Sequence, residues 1–246
     1  IDISNVETKE GNTFRWKGVY NPNDPNSRET IYTEINVLGQ FSPILTPKAR
    51  TKEYLFLANI DPILQINVLN QMNGRPKLVG LDTMDFWING DRDNLSHIVK
   101  LIDVLFMDAS EIKSFTGKNN ILDAAHSVHD SGPSIVVVKK GEHGAILFGP
   151  DWVFFVPGFP LEVIFDPTGA GDSFAGGFVG YMASVDSQEP DDLRRAMVYG
   201  SVMGSFAVES FSVDRFHSLK KKEIQRRIME FKEMTAFEHG LVESDG

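Results

Sequence analysis

The chain of 246 residues is 41% hydrophobic and 24% charged, a composition that builds one large core with an appendage rather than several independent domains. A formal net charge of -10 excludes a general binder of nucleic acid or of anionic membranes, since both need a basic footprint. The absence of cysteine excludes a disulfide scaffold or thiolate zinc site and fits a reducing, cytoplasmic setting, and no apolar run approaches the roughly 20 residues of a membrane span.

Residues 1–6 read as an extended piece in mid-fold, not as a signal peptide, so a natural N-terminal segment is expected to precede Ile1. Over residues 14–37, Phe14, Trp16, Gly18 and Tyr20 alternate with Arg15, Lys17 and Val19, and Ile31, Thr33, Ile35 and Val37 alternate with Tyr32, Glu34 and Asn36. That period of two belongs to half-exposed strands, and residues 21–27 between them are dense in turn formers. The expectation is an antiparallel ribbon within a lid region at residues 1–40, which must cover something because a lone hairpin is marginal in water. Residues 41–246 form the remaining unit, an α/β core.

Within that core, apolar runs at 55–60, 78–81, 104–107, 135–138 and 163–165 alternate with helical stretches at 63–72, 95–101, 110–115, 121–130, 172–182, 191–209 and 220–237, with a hairpin at 145–148 and 153–156. Continuous apolar strands separated by helices predict a three-layer, doubly wound, mostly parallel sheet with helices on both faces. Sites in such sheets form where strands end and helices begin.

Residues 165–178, Phe-Asp-Pro-Thr-Gly-Ala-Gly-Asp-Ser-Phe-Ala-Gly-Gly-Phe, are predicted to follow a strand and open a helix. Gly169, Ala170 and Gly171 let the backbone turn tightly and present N–H groups beside the positive end of the helix, which suits an anion. Asp172, in the first helical turn beside that cradle, is placed to accept a proton from an attacking hydroxyl; a plain helix cap is the competing explanation. A dinucleotide fingerprint fails because Phe174 stands where glycine is needed, and a Walker A loop fails because Gly176-Gly177-Phe178 replaces Gly-Lys-Ser/Thr. Gly176, Gly177 and Gly180 each cost roughly 1 kcal/mol in a helix, which close packing against the sheet is expected to offset.

The full string resembles the C-terminal signature of the ribokinase, or PfkB, family of sugar and nucleoside kinases. The resemblance implies a ribokinase-like fold with a β lid, Asp172 as catalytic base, and Gly169, Ala170 and Gly171 as the cradle of the transferring phosphoryl group, with Thr168 beside the nucleotide. It also implies ATP and Mg2+, and a monovalent cation such as K+ bordered by Asp166. Asp108 and Glu111 fall where the family carries Asn-x-x-Glu, tied to the magnesium and phosphate shell, with Asp108 in place of asparagine; the same pair is a capping box whether or not metal binds. Lys139-Lys140-Gly141 occupies the position of a segment that faces nucleotide phosphates, and the resemblance selects Lys139 and Gly141. Asp82 closes an apolar run and serves either as a strand-end cap or toward nucleotide or substrate, while Met84 and Phe86 depart from the Asp-x-Asn-x-Arg pattern of fructokinase-like members.

By resemblance the helix at 191–209 flanks the adenine, with Ser201 among its small residues, and the loop at 210–213 lines the cation site. The histidines show no metal-ligand spacing, and Lys220, Lys221 and Lys222 with Arg226 and Arg227 read as a wet helix face. The family's main acceptor-recognising residues would precede Ile1. A small sugar is therefore the first expectation for acceptor and a nucleoside the alternative, with a non-catalytic binding protein on the same scaffold as the reading from another class. Pairing of lids in a homodimer is the expected assembly.

Overall fold

Strands that are apolar on both faces must be covered on both, and the order of elements shows how. The computed structural model describes residues 2–21 and 24–236; Ile1, Pro22 and Asn23 of the expected loop, and Phe237 at the expected end of the last helix lie outside the described residues. The elements are β1 (Arg15–Asn21), β2 (Asp24–Glu34), β3 (Tyr54–Leu57), α1 (Pro62–Asn70), β4 (Leu78–Asp82), α2 (Asp85–Gly90), α3 (Arg92–Val99), β5 (Val104–Asp108), α4 (Ala109–Thr116), α5 (Ile121–His129), β6 (Ile135–Lys139), β7 (Ala145–Phe148), β8 (Val153–Val156), α6 (Ala170–Val185), α7 (Pro190–Ala207), α8 (Asp214–Ser218) and α9 (Lys221–Thr235).

A six-stranded sheet runs β3-β4-β5-β6-β7-β8. β3 to β6 are parallel, while β7 and β8 return antiparallel as a hairpin. Strand alternation divides the core in two. Val79, Leu81, Leu105, Met107, Val136 and Val138 meet Leu95, Ile98, Ile112 and Val128 of α3 to α5 on one face. Leu78, Val104, Phe106, Ile135 and Val137 meet Phe174, Phe178, Met182, Met197 and Phe206 of α6 and α7 on the other. Phe106 is fully buried and meets Phe56 and Phe178 edge to face, with centroids 5.9 and 5.3 Å apart; burying a phenylalanine side chain contributes roughly 1.5–3 kcal/mol. Three layers result, as the apolar runs predict. No helix among the described residues is long and apolar enough to cross a membrane.

β1 and β2 form a separate antiparallel ribbon. Its burial alternates as the sequence does: Trp16, Gly18 and Tyr20 are half-buried, while Arg15, Lys17 and Val19 are exposed. Gly18 is required by its neighbour, since a Cβ there would lie 2.3 Å from the Trp16 ring. The second strand begins at Asp24, so the ribbon extends into the expected loop, and Val37 falls in a 3-10 turn (Asn36–Gln40) rather than in a strand.

Two expectations are corrected. Residues 163–165 are not a strand. The sheet ends at β8, and the Phe165 N–H donates instead to the Val208 carbonyl (2.8 Å) at the end of α7, leaving Val163, Ile164 and Phe165 72%, 42% and 67% exposed. Three apolar residues with no neighbouring strand to pair with cannot make a ladder. The short helices α2 and α8 have too few turns to print a period on the sequence. Gly177 packs against α7, not the sheet, because a Cβ there would sit 2.9 Å from the Tyr199 carbonyl, whereas Gly176 and Gly180 face open space; nothing in the structure explains the last two.

Candidate active site

Three adjacent strands end in charge. Asp82, Asp108 and Lys139 are the last residues of β4, β5 and β6, and the apolar runs before them fix which way they face. Leu78 and Gly80 of β4, Val104 and Phe106 of β5, and Ile135 and Val137 of β6 look toward α6 and α7; a period of two places Asp82, Asp108 and Lys139 on that same side. Lys139 Nζ donates to Asp82 Oδ1 and Oδ2 at 3.0 and 2.8 Å, with side-chain exposures of 17% and 4%. The Thr83 N–H also donates to Asp82 Oδ1 (2.9 Å), anchoring the carboxylate.

Asp108 and Glu111 form the capping box that their spacing permits. Asp108 Oδ1 accepts from the N–H groups of Ser110 and Glu111 and from Ser110 Oγ, and the Asp108 N–H donates to Glu111 Oε2 (2.7 Å). Glu111 is 4% exposed. Burial raises its carboxyl to about 7; Asp108 and Asp82 add to the rise, and Lys139 opposes it. Burial by itself would lower the Lys139 ammonium, but Asp82, Glu111 and Asp172 around it together raise it, so it stays charged. Burial raises Asp82, against the pull of Lys139 and with Asp172 adding to the rise. These mutual effects place four charged side chains, from β4, β6, α4 and α6, in one neighbourhood.

The anion turn completes it. Gly169 sits at φ +81°, in the left-handed region that favours glycine. No side chain caps α6; the Ala170 N–H donates to the Pro167 carbonyl (3.2 Å), and those of Gly171 and Asp172 have no acceptor among the described residues. An uncapped helix of 16 residues thus presents free N–H groups and its positive end. Lys139 lies directly against this turn, since a Cβ on Gly171 would be 3.1 Å from its Nζ. Asp172 is exposed.

The remaining sequence-predicted residues are distributed around the turn. The Thr168 N–H donates to Asp166 Oδ1 (2.9 Å), and Thr168 Oγ1 is hydrogen-bonded to Tyr20 Oη of the ribbon (3.1 Å). β2 also approaches the exposed 3-10 turn (Gly141–His143) that Gly141 opens at φ +57°. The Phe165 and Asp166 N–H groups donate to the Val208 carbonyl, two residues before the loop at 210–213, in which the Ser210 hydroxyl is buried with no hydrogen-bond partner among the described residues. Ser201 is not brought to the cluster by its hydroxyl, which donates to the Pro157 carbonyl (2.9 Å) and ties α7 to the segment after β8. Sequence reasoning missed the Asp82–Lys139 pair and the Tyr20–Thr168 contact. A charged residue closing each of two buried apolar runs was the available signal for the first; alternation that puts Tyr20 on the inward face was the signal for the second.

Among the described residues no three histidine, aspartate or glutamate side chains are grouped to hold a metal ion by themselves. Mg2+, however, is commonly held by one or two carboxylates together with phosphates and water. Asp108 Oδ2 and Glu111 Oε1 accept no hydrogen bond from the described residues, so this donor set fits such an ion. Clefts lined by Lys9, Gly11 and Asn36, and by Met72, Arg75 and Lys100, share no lining residue with this cluster, and the ribbon reaches the turn through the Tyr20–Thr168 contact.

Comparison with known proteins converges on one family. The pfkB family carbohydrate kinase description matches residues 81–218, more than half of the chain. The cytidine kinase of Thermococcus kodakarensis is 31% identical over 183 residues, 73% of this chain and 64% of that protein. The chain thus spans less than two thirds of its length, as it does for the other curated relatives it matches first. Among solved structures, the nucleoside kinase of Methanocaldococcus jannaschii superposes with a TM-score of 0.69 at 20% identity, covering 90% of this chain and 70% of that one. A fructokinase of Vibrio cholerae bound to fructose, ADP and calcium gives 0.63 at 17%, covering 87% and 73%. These two structures speak for the fold.

Proposed function

The chain belongs to the pfkB family of carbohydrate kinases, and from that premise we propose that it transfers the γ-phosphoryl group of ATP to a hydroxyl of a small nucleoside or sugar. The observation that carries the proposal is the convergence, at one sheet edge, of the uncapped glycine turn, the half-buried Lys139 ammonium and the exposed Asp172 carboxylate.

Phosphoryl transfer asks the protein for in-line positioning, charge neutralisation and a base aimed at the nucleophile. The free N–H groups of Gly171 and Asp172 receive negative charge on the transferring group, with Gly169 and Ala170 shaping the turn and Lys139 supplying a fixed positive charge beneath it. Asp172 takes the acceptor's proton. Thr168 and Gly141 border the nucleotide, and Asp166 with the Ser210 loop borders a monovalent-cation site. Glu111 and Asp108 would hold Mg2+, which when bound neutralises and orients phosphate oxygens. The ribbon shields the reacting atoms from water.

Residue patterns by themselves put a sugar first. We place a nucleoside ahead of it, because the relative with 31% identity over most of this chain is by name a cytidine kinase; the sugar alternative rests on the family description. Full-length protein assayed for ATP consumption against nucleosides and sugars separates the two. In the same assay Asp172→Asn should lower kcat by about 10²–10⁴-fold and leave ATP affinity, measured calorimetrically, within a factor of about three. Full turnover by that variant removes the base assignment. A wild-type protein that binds ATP but phosphorylates nothing favours a non-catalytic nucleotide-binding role.

A further inference from the structure

Asp82 has no task in the phosphoryl transfer proposed for this site. It is nevertheless among the few buried charged residues of the chain, and both of its carboxylate oxygens are occupied by Lys139. We propose that Asp82 is a positioning residue: it fixes the Lys139 ammonium beneath Gly171, so that the phosphate cradle has a stationary positive floor. The inference rests on the reading of the cradle as a nucleotide phosphate site.

Three observations support it. First, a lysine has a flexible four-carbon stem and a point charge, so its ammonium goes where its partners hold it. Asp172 and Glu111 are both near enough to act on that charge, and a lysine turned onto Asp172 would occupy the proposed base. Asp82, itself anchored by the Thr83 N–H, holds the ammonium with two hydrogen bonds and keeps Asp172 open. Second, Asp82 and Lys139 close β4 and β6, the two strands that flank β5. Their shared facing toward α6 spans the strand between them and brings the ammonium under the helix terminus. Third, Gly171 is a glycine for a reason its backbone does not supply. Unlike Gly169 it has no positive φ; a Cβ there would stand 3.1 Å from the ammonium, so a side chain would press on the lysine and displace it by a few tenths of an ångström. Turn and lysine are built around each other.

The test is a double-mutant cycle on ATP binding by titration calorimetry in full-length protein, with Asp82→Asn, Lys139→Gln and the pair, alongside melting temperatures and kinetics with whichever acceptor the screen identifies. Each single substitution should weaken ATP binding about tenfold, and Asp82→Asn should weaken it no further in the Lys139→Gln background, since a residue that acts through a lysine has nothing to act on once the lysine is gone. A merely structural Asp82 gives the opposite result, with its effect on ATP binding the same in both backgrounds and accompanied by a lower melting temperature; that outcome overturns the inference. If Lys139→Gln does not fold, Asp82→Asn alone decides: tenfold weaker ATP binding with a melting temperature close to wild type supports the inference, and wild-type affinity overturns it. The nucleotide reading fails separately, in a wild-type protein that binds neither ATP nor ADP. That result removes the inference with it, whereas tight binding by wild type and Asp82→Asn alike removes the inference alone.

Discussion

Asp82, Glu111 and Lys139 stand at the strand side of the site, at the ends of β4, α4 and β6, with 4%, 4% and 17% exposure. Asp172, Thr168 and Tyr20 stand at its helix side, on α6, its turn and the ribbon, and are exposed or half-buried. The chemistry assigned to the two sides differs in the same way. The Asp82–Lys139 pair, proposed to supply fixed charge, is held at the low-dielectric strand side, where a charge without a partner is expensive and cannot wander. The group proposed to meet a substrate is exposed, and the ribbon proposed to cover it is half exposed. Burial positions one half of the site and access defines the other, so perturbations of the two halves should separate in what they change.

The strand side rests on the core beneath it, and a cavity in that core should have the largest effect. Phe106→Ala empties a fully buried site enclosed by Phe56 and Phe178 and should cost about 3–5 kcal/mol in urea unfolding. Val19→Ala on the ribbon's exposed face, 53% accessible, should change stability by less than about 0.5 kcal/mol. Similar losses at both positions would erase the distinction between a load carried by the sheet and one shared by the ribbon.

Glu111 sharpens the comparison, because its burial makes a prediction about pH. Its folded-state carboxyl stands at about 7 against an ordinary 4.5. Between those values the folded state binds more protons than the unfolded state, so this group's contribution to stability is greatest below pH 4.5 and falls as pH rises toward 7. A shift of that size is worth up to about 3 kcal/mol. Urea midpoints from about pH 5 to 8 in metal-free buffer should fall with pH in wild type and fall less in Glu111→Gln. Identical slopes in the two proteins would mean that the buried carboxyl keeps an ordinary affinity for its proton.

The same division explains which parts of the molecule are legible in the sequence. The buried sheet is, because complete burial leaves its mark as unbroken apolar runs; 78–81, 104–107 and 135–138 each lie within an observed strand. Residues 163–165 have an equally apolar composition yet form no strand, since a ladder needs a neighbour and composition does not report one. The 169–171 turn and Asp172 are legible as a local string. The pairing of Lys139 with Asp82 is not, because it joins residues 57 apart in the chain and depends on which face α6 covers. Register settles it: Lys139 continues the face of Ile135 and Val137, and Lys140 does not.

The helix side yields the smallest expected effect and the most specific one. Tyr20 Oη and Thr168 Oγ1 join the ribbon to the anion turn across 148 positions of sequence at 3.1 Å. A hydrogen bond between two partly solvated hydroxyls contributes only about 0.5 kcal/mol net, so Tyr20→Phe should leave the urea midpoint almost where it was. Catalysis reads the contact differently. If the ribbon excludes water by resting on this hydroxyl, its release admits water to the phosphoryl group, and ATP hydrolysis without acceptor should rise roughly twofold, the kinetic equivalent of that same energy. Thr168→Val removes the other end of one bond, so the double variant should show the increase of either single variant and no more. Additive increases would mean that Tyr20 and Thr168 act separately on water access, and no increase in any of the three would place the closure of the ribbon elsewhere along β1 or β2.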